Sequence, residues 1–110
     1  MTGSFRRIAT EEAYVIPEVL DPMRDRAARE EYDPDLLFWS RARAGSPLER
    51  RLLDMDSERL EIMDANGVDV QVISLASTGV QKFEPVKAAR LAALANDRLA
   101  EAMSRHPTRY

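Results

Sequence analysis

The ten residues VDVQVISLAS, 68 to 77, constrain the fold more than any other stretch of the chain. Val68, Val70 and Val72 alternate, and Ile73 and Leu75 continue the apolar run. The segment follows Asn66-Gly67, a pair suited to closing a helix because glycine accepts the left-handed conformation. A β-branched run of this length predicts a strand buried over most of its surface. Such a strand requires neighbouring strands at its edges and helices on its faces.

The flanking sequence supplies helices. Ser46, Pro47 and Glu49 read as N-cap, N1 and N3, with Glu49 able to reach back in a capping box. Leu48, Leu52 and Met55, then Leu60 and Met63, recur at three- and four-residue steps within each group, which predicts one helix as far as Asn66. Pro85 opens a second helix, with Val86, Ala89, Ala92 or Ala93, Leu99, Ala102 and Met103 as its apolar stripe and Arg105-His106-Pro107 as its end.

Upstream, FRRIATEEAYVI (5 to 16) is strand-compatible and stops at Pro17. Residues 17 to 45 lose any period; they hold Pro22, Pro34, the charge run RDRAAREE (24 to 31) and the apolar knot LLFW (36 to 39). They predict a long loop whose first part is a short helix. Arg109-Tyr110 predicts the start of a third strand. Strand and helix alternating in this way imply an α/β fold with parallel strands and right-handed crossovers. Two strands cannot complete it, whereas a barrel of eight such units takes about 250 residues. The expectation is therefore the first quarter to half of a (β/α)8 barrel, with residues 1–110 as one part of a single domain.

Charge narrows the partners. Sixteen basic residues are interleaved with nineteen acidic ones for a net charge of -3, which gives no electrostatic footprint for nucleic acid. No run approaches a membrane span, no secretory signal opens the chain, and the absence of cysteine makes a cytoplasmic location the default expectation.

Glu11 and Glu12 are anomalous in a strand. Strict alternation puts Glu11 and Ala13 on one face and Glu12 on the other. An isolated carboxylate inside a barrel is costly unless a cation neutralises it, and a strand-end glutamate suits a hard cation. The alternative is a solvated strand edge.

Three stretches, RIATEEAYVIPE, ERRLLDMDSERLEIMDANGVDVQVISLAS and GVQKFEPVKAARLAALANDRLAEAMSRHPTRY, resemble the amino-terminal part of the amidohydrolase-related metal-dependent decarboxylases, most closely the 5-carboxyvanillate and γ-resorcylate decarboxylase group. The resemblance covers nearly the whole chain and loosens between about residues 20 and 45. It implies a (β/α)8 barrel with one divalent metal, manganese or zinc, at the strands' C-terminal ends, orienting an aromatic carboxylic acid for loss of carbon dioxide. Superfamily members commonly carry His-x-His or Glu-x-His on the first strand. Here the pair is Glu11-x-Ala13, so Glu11 carries over as the sole metal ligand of this segment and Glu12 does not carry over. The family's two histidines and aspartate on later strands have no counterpart in these residues, which are expected to be inactive alone, and relatives of this kind imply a dimer or tetramer.

Further candidates are substrate contacts. Trp39, with Phe38, offers a stacking surface for an aromatic acid, and Arg41 or Arg43 offers a partner for its second carboxylate; the competing reading of this apolar knot is a subunit or rim contact. Ser77 and Thr78 follow the second strand and are placed to touch substrate. Asn96-Asp97 is expected to fix a neighbouring loop, and His106 to be a helix-end histidine away from the chemistry. Two other functions stay open: a hydrolase of the same superfamily, against which Ala13 argues mildly, and a non-catalytic interaction module should the natural chain end at Tyr110.

Overall fold

The computed structural model describes residues 4–29 and 33–110. Its elements are β1 (Ile8–Tyr14), α1 (Pro17–Arg29), a 3₁₀ turn (Pro34–Leu36), α2 (Leu37–Arg41), α3 (Pro47–Leu53), α4 (Glu58–Asn66), β2 (Val70–Leu75) and α5 (Pro85–Arg105). The two strands pair in parallel, so the fold is mixed α/β around a two-stranded parallel sheet. Both predicted strands are present, each shorter than its apolar run.

The pairing is interrupted once. Ala9 stands opposite Gln71 and Glu12 opposite Ile73, so Thr10 and Glu11 together face Val72. This is a bulge, which restores phase: Glu12 and Tyr14 share with Ile73 and Leu75 the face that the helices cover, and Ala13 falls with Ser74 on the other. The expected separation of Glu12 from Ala13 holds, but the bulge and not simple alternation sets Glu11.

The main core lies beyond the strands' C-terminal ends. Val15, Ile16, Val19, Leu20, Met23, Leu36, Trp39, Ala42, Leu52, Ala76, Leu91 and Ala95 form one buried cluster with Tyr14. The Tyr14 hydroxyl donates to the Ala95 carbonyl at 2.8 Å, which seats α5 on the sheet. Glu18 of α1 takes a two-pronged contact from Arg98 of α5 (2.8 and 2.5 Å) at the surface. Pro85 opens α5 as predicted, but its buried positions are Leu91, Ala95 and Ala102, whereas Val86 and Met103 are exposed. The stripe is thus rotated from the predicted one, because the small Ala95 is what lets the helix approach Tyr14.

Two expectations need correction. Residues 17 to 45 are not mainly a loop: α1 runs for thirteen residues with Pro17 at its start and Pro22 inside it. Pro22 obscured the period, yet Val19, Leu20 and Met23 supply a fully buried face. Of the charge run 24 to 31, Glu30 and Glu31 lie outside the described residues. The helix predicted from Ser46 to Asn66 is two helices. Ser46 caps α3 as expected, its Oγ accepting the Glu49 N–H at 3.1 Å, although Glu49 reaches the Gly45 N–H (3.3 Å) and Arg24 rather than Ser46. The break follows because the Asp54 carboxylate accepts the N–H groups of Asp56 (3.2 Å), Ser57 (3.1 Å) and Arg59 (2.7 Å), local bonds that compete with a continuous helix. No third strand is formed at Arg109-Tyr110, but the Arg109 carbonyl accepts the Gln71 N–H at 2.8 Å, on the edge of β2 away from β1. Among the described residues no helix is long and apolar enough to cross a membrane.

Gly67 closes α4 at φ +66°, and a Cβ there would stand 2.9 Å from the Arg7 Nη1. Gly67→Ala is therefore expected to destabilise the fold by about 1–2 kcal/mol, read as a lower denaturation midpoint at unchanged m-value.

Candidate functional site

Parallel strands bring their C-terminal ends to one side, and the turn after β2 completes a groove there. Thr10, Glu11, Glu12 and Ala13 of β1 line it with Ser74 to Gly79 and Gln81. Glu11, Ser77 and Thr78, singled out separately in the sequence, thus meet in one place. Glu11 is exposed, and its carboxylate makes no hydrogen bond or ion pair among the described residues. The Thr78 Oγ1 is buried without a partner, which leaves a donor and an acceptor unused in the wall of this groove.

The other candidates lie elsewhere. Trp39 is fully buried in the core, edge-on to Phe38 with ring centroids 5.2 Å apart, and its Nε1 is unpaired. Its ring therefore offers no free stacking face in this structure, whereas Phe38 is 40% exposed. Arg41 and Arg43 are exposed, and their guanidinium groups have no partner among the described residues. None of these lines the groove of Glu11. Asn96 and Asp97 are exposed on α5 and fix no loop through side-chain hydrogen bonds among the described residues, contrary to expectation.

Beneath the sheet a second groove, about 390 Å³, also borders Glu11 and Glu12 and is lined by Leu48, Leu52, Arg59 and Gln71. Arg59 governs it, and sequence reading missed this residue because it looked like one charged position on a helix. Its Nε donates to the Asp54 carbonyl (2.8 Å), Nη1 to Gln71 Oε1 (3.1 Å), and Nη2 to the carbonyls of Ala13 (2.8 Å) and Arg51 (3.0 Å). Burial pushes this guanidinium down from its ordinary pKa, against the opposing effects of Tyr110, Glu12 and Asp54. The available signal was its place one turn after Asp54-x-Asp56-Ser57, a sequence rich in local acceptors.

The opposite end of the sheet carries His106. It caps α5, and its Nε2 lies 2.7 Å from Asp56 Oδ1, which also accepts Arg105 Nε at 2.9 Å. The Tyr110 hydroxyl donates to the Met55 carbonyl at 2.6 Å, and burial pushes its pKa up to about 12. His106 is thus a helix-end residue tying the chain after α5 to the α3–α4 turn, as the sequence implied.

The oxygen chemistry of Glu11 fits a divalent ion as one ligand. Ala13, two residues on, leaves that position without a second donor. Among the described residues no group of three or more His, Cys, Asp or Glu gathers to hold a metal, so the set present contributes to a centre and does not complete one.

Asp54 yields a pH dependence. Burial raises its pKa, but the N–H groups of Arg59, Asp56 and Ser57 and the Ser57 hydroxyl outweigh this and hold the carboxyl below the usual 3.8. A depressed pKa gives stability that is present above the unfolded value and lost as pH falls through the folded one. Stability is therefore expected to decline as the pH drops below 3.8, and Asp54→Asn to flatten that decline in unfolding titrations.

No protein-family model matches the chain. Similar proteins nevertheless agree with one another. The γ-resorcylate decarboxylase of Rhizobium radiobacter is 36% identical over 105 residues, 94% of this chain and 28% of that protein. The crystal structure of 5-carboxyvanillate decarboxylase from Novosphingobium aromaticivorans, complexed with manganese and 4-hydroxy-3-methoxy-5-nitrobenzoic acid, is 35% identical and superposes with a TM-score of 0.84 over 96% of this chain and 32% of its own. That of a dihydroxybenzoic acid decarboxylase from Polaromonas sp., with manganese and the inhibitor 2-nitroresorcinol, gives 33% and 0.67 over 94% and 28%. The chain thus spans about 28% of the length of the curated relative and a similar share of the structures. The resemblance read from its motifs is to the same group.

Proposed function

We propose that this chain, akin along nearly its whole length to the aromatic-acid decarboxylases of the amidohydrolase superfamily, forms part of a (β/α)8 barrel that removes carbon dioxide from a phenolic carboxylic acid. One observation carries the reading: a carboxylate with no partner among the described residues, Glu11 at the middle of β1, lines a groove that runs to the turn after the C-terminal end of β2, in a chain similar to manganese-bound decarboxylases over at least 94% of its length.

Glu11 gives one oxygen to a divalent ion, manganese by analogy with the two similar structures, with zinc the other hard-ligand candidate. When bound, the ion supplies electrostatic stabilisation to phenolic and carboxylate oxygens. Decarboxylation needs the leaving carboxylate held out of the ring plane, so that the carbon–carbon bond electrons pass into the ring as its carbon takes up a proton; orientation is the main demand on the protein. Ser77 and Thr78 serve it by hydrogen-bonding substrate oxygens, and the unused Thr78 hydroxyl supports that role. Arg41, Arg43 and the exposed Phe38 lie outside this groove, in a segment that the buried Trp39 holds in place, and are given no substrate contact in this reading.

Glu11→Gln in the full-length protein is expected to reduce bound manganese from about one ion per chain to a small fraction and to abolish carbon dioxide release, since a neutral amide is a much poorer ligand. Full metal occupancy and turnover in that variant would refute the reading, and cleavage of an amide or lactone by the unsubstituted protein without carbon dioxide release would favour the hydrolase. Thr78→Val is expected to stabilise the free protein by up to about 1 kcal/mol, by deleting an unpaired buried hydroxyl, while raising KM more than it lowers kcat.

A further inference from the structure

We propose that Arg59 is the positioning residue for the Glu11 carboxylate, fixing the bulged part of β1 through the Ala13 carbonyl. The proposal rests on the reading of Glu11 as a metal ligand. A bulge leaves its extra residue without a regular ladder partner, so pairing with β2 does not by itself set the direction of Glu11. The backbone just after it must be fixed by something else.

Along a strand, successive residues direct their backbone polar groups to opposite edges. The Tyr14 carbonyl accepts the Ala76 N–H, toward β2, so the Ala13 carbonyl and the Val15 N–H face the other edge. There the Val15 N–H meets the Leu52 carbonyl at 3.0 Å, and the Ala13 carbonyl meets Arg59 Nη2 at 2.8 Å. The same Nη2 also donates to the Arg51 carbonyl, and Nε and Nη1 are committed to Asp54 and Gln71, so one rigid fork references β1 to the end of α3 and to β2 at once. All four of these acceptors are neutral. A half-buried guanidinium is a costly way to join them if only cohesion is needed, but a planar fork with fixed donors is well suited to holding a backbone at one height. Glu12, beside it on the covered face, and Asp54 provide the compensating negative charge.

Arg59→Lys keeps the charge but replaces the fork with a compact ammonium that cannot span four acceptors. The test titrates manganese into metal-free full-length protein and reads free Mn(II) by its electron paramagnetic resonance signal, so that turnover is not needed. Arg59→Lys is expected to weaken manganese roughly 10–100-fold, the usual effect of losing a partner that orients a metal ligand. Tyr110→Phe, which removes a hydrogen bond to the neighbouring Met55 carbonyl, loosens the same α3–α4 turn without touching β1 and is expected to leave affinity unchanged. Equal weakening in the two variants at matched unfolding midpoints would overturn a positioning role, as would unchanged affinity in Arg59→Lys. Should Arg59→Lys fail to fold, Gln71→Met removes one acceptor only; it is expected to weaken manganese less, and unchanged affinity there would overturn the proposal. Glu11→Gln is run in parallel. If it leaves manganese bound, the ligand reading itself fails and takes this proposal with it; if it releases manganese while Arg59→Lys does not, only the role of Arg59 fails.

Discussion

The parallel pairing of β1 with β2, with its extra residue at Thr10-Glu11, is the constraint on which the other features depend. Parallel strands cannot be joined by a tight turn, so the chain between them must cross over, and α1 to α4 are that crossover. The same pairing gathers both C-terminal ends on one side, which is why Glu11, Ser77 and Thr78 line one groove although more than sixty positions separate Glu11 from Ser77 in the sequence. The bulge keeps Tyr14 on the covered face, where its hydroxyl anchors α5.

Polar interactions divide by depth. The surface pairs, such as Arg98 with Glu18 or Arg50 with Glu58, are solvent-screened and contribute little to stability. Arg59 and Asp54 act differently, because their partners are mainly backbone groups in the half-buried seam between α3, α4 and the sheet. An unmade bond there leaves a desolvated donor or acceptor, which costs more than the bond contributes. Their effect is to fix where one helix ends, the next begins and the first strand lies against both.

Legibility followed the range of the forces involved. The strand at 70–75, the Pro85 start of α5, the Ser46 cap and the Gly67 stop were readable because each rests on residues within a turn of one another. The long helix α1 was obscured by Pro22, whose cost is offset by burial of Val19, Leu20 and Met23 against distant elements. The α3–α4 break was legible in principle from Asp54-x-Asp56-Ser57 and from the five-residue step between Met55 and Leu60, but the three- and four-residue steps on either side masked it. In the site, Glu11 stood out because carboxylates are unusual in a strand, and Thr78 by its position after one. Arg59 did not, since an arginine on a helix is ordinarily solvated and only its partners reveal otherwise.

By itself, then, the sequence determined the alternation of strands and helices, the caps that bound most of them and the oddity of Glu11, all properties of local backbone preference and short-range periodicity. Only tertiary structure decided the bulge that aims Glu11, the face of α5 that meets Tyr14, the burial of Trp39 and the four-way grip of Arg59. These depend on the register between strands and on contacts between separate elements, such as those of Tyr14 with Ala95 and Arg59 with Ala13, and no local propensity encodes a distance between segments that meet only once the chain has folded.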